Sequence, residues 1–360
     1  MVKPSRAIER LEPYKITPQD VWTEEAPQRL LKLDWNEAPE NFSFFLDELR
    51  RIVSEIGIVA WYPDYLAIDL TDELAKYVRL DPTSILVFPG SDVGLETLCR
   101  TYLDPEDHAA AICPTYENFF VYVQQTGAAL HPIDIPKPFA FDVDALIGQC
   151  AALPSLKCIY VASPNNPCGY LVGLDAVARI AARFPDALVV VDEAYIEFAA
   201  SASACAIIPS HPNLVVARTF SKAFGLAGMR LGYLCAAPAI LNNVNKIRNG
   251  KNVSMIAQKL GTYALRNRSK VDEWIAEVRA ARDLFETWLR ARGWVHYPSH
   301  GNFVMFEVRN PPDVCSRLKA RGIYLRNRHA QVPGCIRTAI GSRSHVARLI
   351  SELESLGDLS

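Results

Sequence analysis

TFSKAFGLAGMRLGY (219–233) sets a lysine, Lys222, just after an apolar run and among small residues, with Arg230 eight positions on. An isolated lysine at such a place usually lets its ammonium snorkel to solvent. Here LVVARTF (214–220) before it and RLGYLCA (230–236) after it read as buried strands, so Lys222 falls in the turn that leaves a sheet strand. Working outward, SILVF (84–88), AAAIC (109–113), KCIYVA (157–162) and ALVVV (187–191) are further short runs, apolar on both faces. Amphipathic stretches at 93–103, 116–127 and 173–184 lie between them, the alternation of a largely parallel sheet with its helices. The fold class is therefore α/β, with a large, mostly parallel-sheet domain over 55–240. From 241 to 360, long stretches rich in Arg, Lys, Glu and Ala lead to the strand-like NFVMFEV (302–308) and CIRTAIG (335–341), which predicts a smaller α+β domain. Residues 1–54, with several prolines and little periodicity, are expected to form an N-terminal arm and part of the smaller domain.

Half of the 360 residues are apolar and 22% are charged, the balance of a globular protein with a sizeable core. A net charge of −2 with no block of like charge argues against a nucleic-acid partner. The first residues, MVKPSRAIERLEPYK, lack the apolar stretch of a signal peptide, and no run approaches the ~20 apolar residues of a membrane span. The nine cysteines contain no C-x-x-C pair, and Cys113, Cys158 and Cys235 sit in apolar runs, as reduced core residues do. A cytoplasmic protein is expected.

Other segments carry chemistry only in combination. ALVVVDEAYIEF (187–198) puts Asp192 at the carboxyl end of a strand, the edge where α/β sheets present ligand sites, and Tyr195 three residues further. The plainer alternatives are a strand-end helix cap for Asp192 and a core ring for Tyr195. VASPNNPCGYL (161–171) is by itself a turn signal after a strand. FPGSDVGLETL (88–98) runs a Gly-Ser-Asp turn into a helix, whose first N–H groups suit an anion, although such a turn is more often a plain cap. CPTYENF (113–119) leaves Tyr116 beyond one more strand, as a ligand-facing ring or as core.

In this order the blocks resemble the fold-type-I pyridoxal-phosphate (PLP) transferases, and within them the histidinol-phosphate aminotransferase branch of the class I/II aminotransferases. The segment at Lys222 is similar to S-K-x-x-x-x-x-G-x-R of that family. The likeness implies that Lys222 holds the cofactor as a Schiff base and moves the substrate α-proton, with Ser221 and Arg230 on the cofactor phosphate. It implies Asp192 against the pyridine nitrogen, where a protonated ring accepts electron density, and Tyr195 on the phenolic oxygen. Asn166 joins Tyr195 there, from a loop similar to S-P-N-N-P-T-G in which Cys168 replaces the usual Thr. Tyr116 would stack on the ring, and the N–H groups of Ser91 and Asp92 would complete the phosphate cradle.

The resemblance extends to both ends. LKLDWNEAP (31–39) is similar to L-D-x-N-E-N-P and assigns Asn36 to the substrate side. AWYPDY (60–65) is similar to R-Y-P-D-P, whose tyrosine, here Tyr62, reaches the cofactor phosphate of the neighbouring subunit in a homodimer. PGCIRTAIGSR (333–343) implies that Arg337 grips the substrate α-carboxylate, a planar anion suited to a bidentate guanidinium. In GIYLRNRHAQVPG (322–334) Arg326 aligns with an arginine for the substrate phosphate, while Arg328 and His329 are either binding groups or solvent-facing loop charges. The implied activity is ping-pong transfer between an amino donor, histidinol phosphate or another amino acid, and 2-oxoglutarate. A PLP-dependent decarboxylase of a phosphorylated amino acid shares the same cofactor residues and stays open at this point. Departures bear on the substrate: IRNGKNVSMIAQ (247–258) has Gly250 and Lys251 where a Pro-aromatic pair is usual, and no Asn-Pro follows Glu37.

Overall fold

The computed structural model describes residues 2–11, 20–23 and 29–359. The remainder of the expected N-terminal arm, 12–19 and 24–28, lies outside the described residues. A two-residue strand, β1 (Leu31–Lys32), precedes the main sheet. That sheet comprises β2 (Ile85–Phe88), β3 (His108–Cys113), β4 (Ala129–Asp134), β5 (Leu156–Ala162), β6 (Leu188–Asp192), β7 (Leu214–Thr219) and β8 (Gly232–Ala236). Its order is β2-β8-β7-β6-β5-β3-β4, and only β8 runs antiparallel to its neighbours. All six apolar runs read as strands are in it. β4 is the addition, and it has a proline, Pro132, because it is an edge strand with no neighbour beyond it to receive that missing N–H.

The runs are apolar throughout because both faces of the sheet are covered. Alternate side chains point to opposite faces. Val189, Val191, Leu214 and Val216 pack into one apolar cluster, and Val190, Val215, Ala217 and Leu234 into another on the far side. Helices Ser91–Tyr102 and Asn118–Gln124 bury Leu95, Leu98, Phe119 and Val123 in the second cluster. Helix Leu174–Arg183 buries Val177 and Ile180 in the first.

Beyond residue 241 a 24-residue helix, Arg268–Ala291, packs on a second sheet formed from β9 (His296–Tyr297), β10 (Phe303–Glu307), β12 (Arg326–Asn327) and β13 (Cys335–Ala339), in the order β12-β13-β10-β9. β11 (Ile323–Tyr324) pairs in parallel with β1, which ties the chain near residue 31 to this C-terminal part. Among the described residues no helix is long and apolar enough to cross a membrane.

Candidate active site

Parallel strands put their carboxyl ends on one edge, and β2, β3, β5, β6 and β7 all open there. The antiparallel β8 presents its start at the same edge, which is why Arg230, two residues before β8, arrives beside residues leaving β2 and β7. A cavity of about 510 Å³ lies over this edge, bordered by Ser91, Asp92, Tyr116, Asn166, Asp192, Tyr195, Ser221, Lys222 and Arg230 from the main sheet. Arg326, Arg328 and Arg337 from the C-terminal part border it as well.

Asp192 is 6% exposed at the end of β6. Its Oδ2 accepts from the Tyr160 hydroxyl at 2.7 Å and its Oδ1 from the Ala194 N–H at 3.0 Å. Burial pushes its pKa up to about 6; the Tyr160 and Ala194 donors oppose this, Asp92 adds to it, and Lys222 opposes it. Tyr160 is a residue that the sequence reading missed. It sits in an apolar run on β5, and its part depends on register, since Ala162 pairs with Asp192 and Tyr160 is thereby the diagonal neighbour on the same face. Glu193 turns to the other face. There it and Glu197 surround Arg218 of β7, the latter at 2.7 Å, as a buried ion cluster behind the site.

Tyr195 takes two donors on its hydroxyl oxygen, the Asn36 amide at 3.2 Å and the Asn166 amide at 3.4 Å. With two donors on the oxygen, its own proton remains to be donated. Arg337 donates to Asn166 Oδ1, which fixes the amide with its nitrogen toward Tyr195, and Arg337 also donates to the Asp34 carbonyl at 2.8 Å. The Lys222 ammonium donates to the Trp35 carbonyl at 2.9 Å and lies 5.8 Å from the Tyr195 ring centre. Tyr116 donates to Asp92 at 2.8 Å and accepts from the Asn118 amide at 2.7 Å, which pins its ring at the cavity wall.

Two expected residues do not border this chain's own cavity, Asn36 against expectation and Tyr62 as a residue expected at a neighbouring subunit's site. Asn36 does not border the cavity: it is fully buried with φ 59°, a left-handed turn that sends its amide to Tyr195, while Trp35 and Glu37 on either side reach the cavity instead. Tyr62 is 80% exposed, away from the cavity of its own chain, with the Lys251 ammonium 4.8 Å from its ring centre. Trp22, Trp35 and Glu37 also line the cavity and were not singled out from the sequence. An aromatic residue in a segment without periodicity gives no local sign that it faces a ligand.

A lysine, a buried carboxylate and an amide-tyrosine pair at the carboxyl edge of a parallel sheet define a group-transfer site built around a bound cofactor. The class I and II aminotransferase family model matches residues 30–353, and the chain belongs to that family, whose cofactor is pyridoxal phosphate. It is similar to a dihydroxyacetone phosphate transaminase of Campylobacter jejuni, at 31% identity over 97% of this chain and 96% of that one. It is also similar to a histidinol-phosphate aminotransferase of Pectobacterium atrosepticum, at 31% identity over 90% of this chain and 89% of that one. Among solved structures, histidinol-phosphate aminotransferase from Sinorhizobium meliloti in complex with pyridoxal 5'-phosphate superposes with a TM-score of 0.86 at 25% identity, over 99% of both chains.

The residues present fit that cofactor. Helix Ser91–Tyr102 starts after Gly90 with no side-chain cap, so its first N–H groups are open to an anion. Arg230 donates to the Ser221 hydroxyl at 3.3 Å and pairs with Asp92 at 3.2 Å, which closes a cradle around that terminus. Neither glycine beside the cradle leaves room for a side chain. At Gly90, with φ +86°, a Cβ would lie 2.6 Å from an Arg230 nitrogen, and at Gly232 a Cβ would lie 2.4 Å from the Ser91 backbone nitrogen.

Proposed function

We propose that the chain transfers an amino group between a small phosphate monoester and a 2-oxo acid, with histidinol phosphate as amino donor and 2-oxoglutarate as acceptor. The observation that carries this is the pairing of Arg326 with Arg337 across β12 and β13, both of them bordering the cavity that Lys222 lines. Like charges directly opposite one another in a ladder are unfavourable, and an anion shared by the two guanidinium groups lowers that cost. One guanidinium is enough to hold a carboxylate, whereas a phosphate offers a third oxygen and nearly a second charge. A second reading, amination of dihydroxyacetone phosphate, is favoured by the near full-length match to the Campylobacter transaminase. Both readings have a phosphate monoester in common.

In this proposal Lys222 carries the cofactor covalently, and Asp192 holds a proton on its ring nitrogen. Asn166 and Tyr195 donate to its phenolic oxygen, Tyr116 covers its ring, and Ser91, Asp92, Ser221 and Arg230 hold its phosphate. When bound, that cofactor supplies an electron sink for the charge left as the substrate carbon loses its proton. Freed once the substrate amine has taken its place on the cofactor, the Lys222 amine would take that proton and deliver it to the cofactor carbon two atoms away. Arg337 orients the substrate so that the breaking C–H bond faces Lys222. Arg337 itself is buried and hydrogen-bonded to neutral oxygens. Its pKa is pulled down to about 9, first by burial and then by Arg328, so it stays protonated at neutral pH and awaits an anion. We also place the boundary of the main domain at 54/55 and 240/241. The nine free cysteines fit a reducing, cytoplasmic setting.

The test is an amine screen that follows conversion of the cofactor absorbance when the loaded enzyme meets histidinol phosphate, histidinol, serinol phosphate or glutamate. Phosphate esters should react at concentrations at least ~10-fold lower than their dephosphorylated analogues, because charge-assisted bonds to two arginines are lost otherwise. Equal response to histidinol and histidinol phosphate would refute the proposal.

The same reading makes the enzyme a homodimer in which Tyr62 completes the partner's site. Ile56, Val59, Trp61 and Tyr62 form an exposed apolar patch, the kind of surface that a second copy covers. Mixing Lys222→Ala subunits with Tyr62→Phe subunits should restore about a quarter of wild-type turnover, since half the dimers are mixed and each has one intact site. Subunit exchange without recovery would show that each site is complete within one chain.

A further inference from the structure

Arg328 follows β12, and its N–H donates to the Cys335 carbonyl at 3.0 Å, so the pairing with β13 continues past Arg326. Alternate residues of an extended chain share a face, so Arg326 and Arg328 both meet the cavity while Asn327 between them is exposed. Arg328 is not a solvent-facing loop charge: it is 8% exposed. Its guanidinium donates to the side-chain oxygen of Gln331, whose amide donates in turn to the Thr115 carbonyl at 2.8 Å. Its carbonyl accepts from the N–H groups of Gln331 at 2.9 Å and Val332 at 2.7 Å. Backbone and side chain are thus both held, and the holding chain of bonds ends next to Tyr116.

We infer that Arg328 is a third anion-binding guanidinium of the substrate pocket, and that it sets the preference for a phosphate dianion over a carboxylate. This rests on the phosphate-ester reading above. The three guanidinium groups border one cavity, and a group that brings three terminal oxygens and nearly two charges offers an acceptor to each of them, which a carboxylate with two oxygens does not. The field of Arg328 on Arg337 is consistent with this, since after burial it is the largest influence lowering the pKa of Arg337. Arg328 therefore discriminates between the two half-reactions: it matters for the phosphate ester and much less for the dicarboxylate.

The test compares wild type with Arg328→Gln and Arg328→Lys, all loaded with cofactor and checked for an unchanged melting temperature. KM and kcat are measured for histidinol phosphate and glutamate, together with the competitive inhibition constant of inorganic phosphate. For Arg328→Gln the KM for the phosphate ester and the inhibition constant of phosphate should each rise at least about tenfold, with the loss in KM rather than kcat. The glutamate KM should move less than about threefold, and Arg328→Lys should recover part of the loss. An unchanged ratio of the two KM values, or an equal rise in both, overturns the inference. Wild type that fails to distinguish histidinol phosphate from histidinol but is inhibited by phosphate, with the inhibition weakened in Arg328→Gln, would remove the phosphate-ester reading and leave the anion site. Wild type insensitive to phosphate as well would remove both.

Discussion

Lys222→Ala should give a folded protein with turnover reduced by at least ~10⁴-fold, since in the proposed function one amine both anchors the cofactor and moves the proton. The side chain contributes little to the fold: it is half-buried, and among the described residues its one hydrogen bond reaches the Trp35 carbonyl. Its turn is held by backbone, with Gly225 N–H on the Lys222 carbonyl at 3.1 Å and Leu226 N–H on the Phe220 carbonyl at 3.0 Å. The melting temperature should therefore change by only a few degrees. Lys222→Arg separates charge from nucleophile, because it keeps a cation but has no amine able to bond the cofactor covalently, and it should be as inactive as the alanine variant. Borohydride treatment of the loaded wild type followed by peptide mapping should find the label on Lys222. A label on another lysine, or an active arginine variant, would remove Lys222 from the centre of the site.

The pieces legible in the sequence are those whose meaning is local. A strand buried on both faces must be apolar at every position, so six strands of the main sheet stand out, and their parallel direction then carries each following turn to one edge. Asp192 ends such a strand, Asn166, Tyr116 and Lys222 follow one by at most four residues, and all four meet at the cavity. What escaped depends on register and on turns. Tyr160 looks like core because its partner is 32 positions away, and only the pairing of Ala162 with Asp192 brings the hydroxyl to the carboxylate. Asn36 has the expected residue type, but its left-handed backbone takes the side chain behind Tyr195. Arg328 was ambiguous for a similar reason: a charge in a polar loop reads as solvated until the strand pairing with β13 puts it on the cavity face.

Asp192→Asn should move stability and catalysis in opposite directions. In the protein without cofactor, burial raises the Asp192 pKa from 3.8 to about 6. Between those values the native state holds more protons than the unfolded chain, so stability falls as pH rises from about 4 to about 6. Above that window the buried carboxylate costs on the order of 2–3 kcal/mol, from a shift of about two pH units at 1.36 kcal/mol each. Asparagine removes the charge while its carbonyl can still accept from Tyr160 or Ala194. The cofactor-free variant should thus be more stable than wild type at pH 7.5, by roughly 1–3 kcal/mol, with the difference vanishing near pH 4. With the cofactor bound as proposed the sign should reverse, because the carboxylate would gain a cationic ring nitrogen as partner and the uncharged amide would not. Loss of a charged hydrogen bond worth ~1.5–3 kcal/mol should slow the half-reaction by about 10- to 100-fold while the cofactor still binds. Urea denaturation of the cofactor-free proteins at pH 4 and 7.5, with single-turnover absorbance on the loaded ones, reads both effects. A variant destabilised at pH 7.5 and unimpaired in the half-reaction would mean that Asp192 serves as the cap of the Ala194 turn, and that the ring proton is held by another acid.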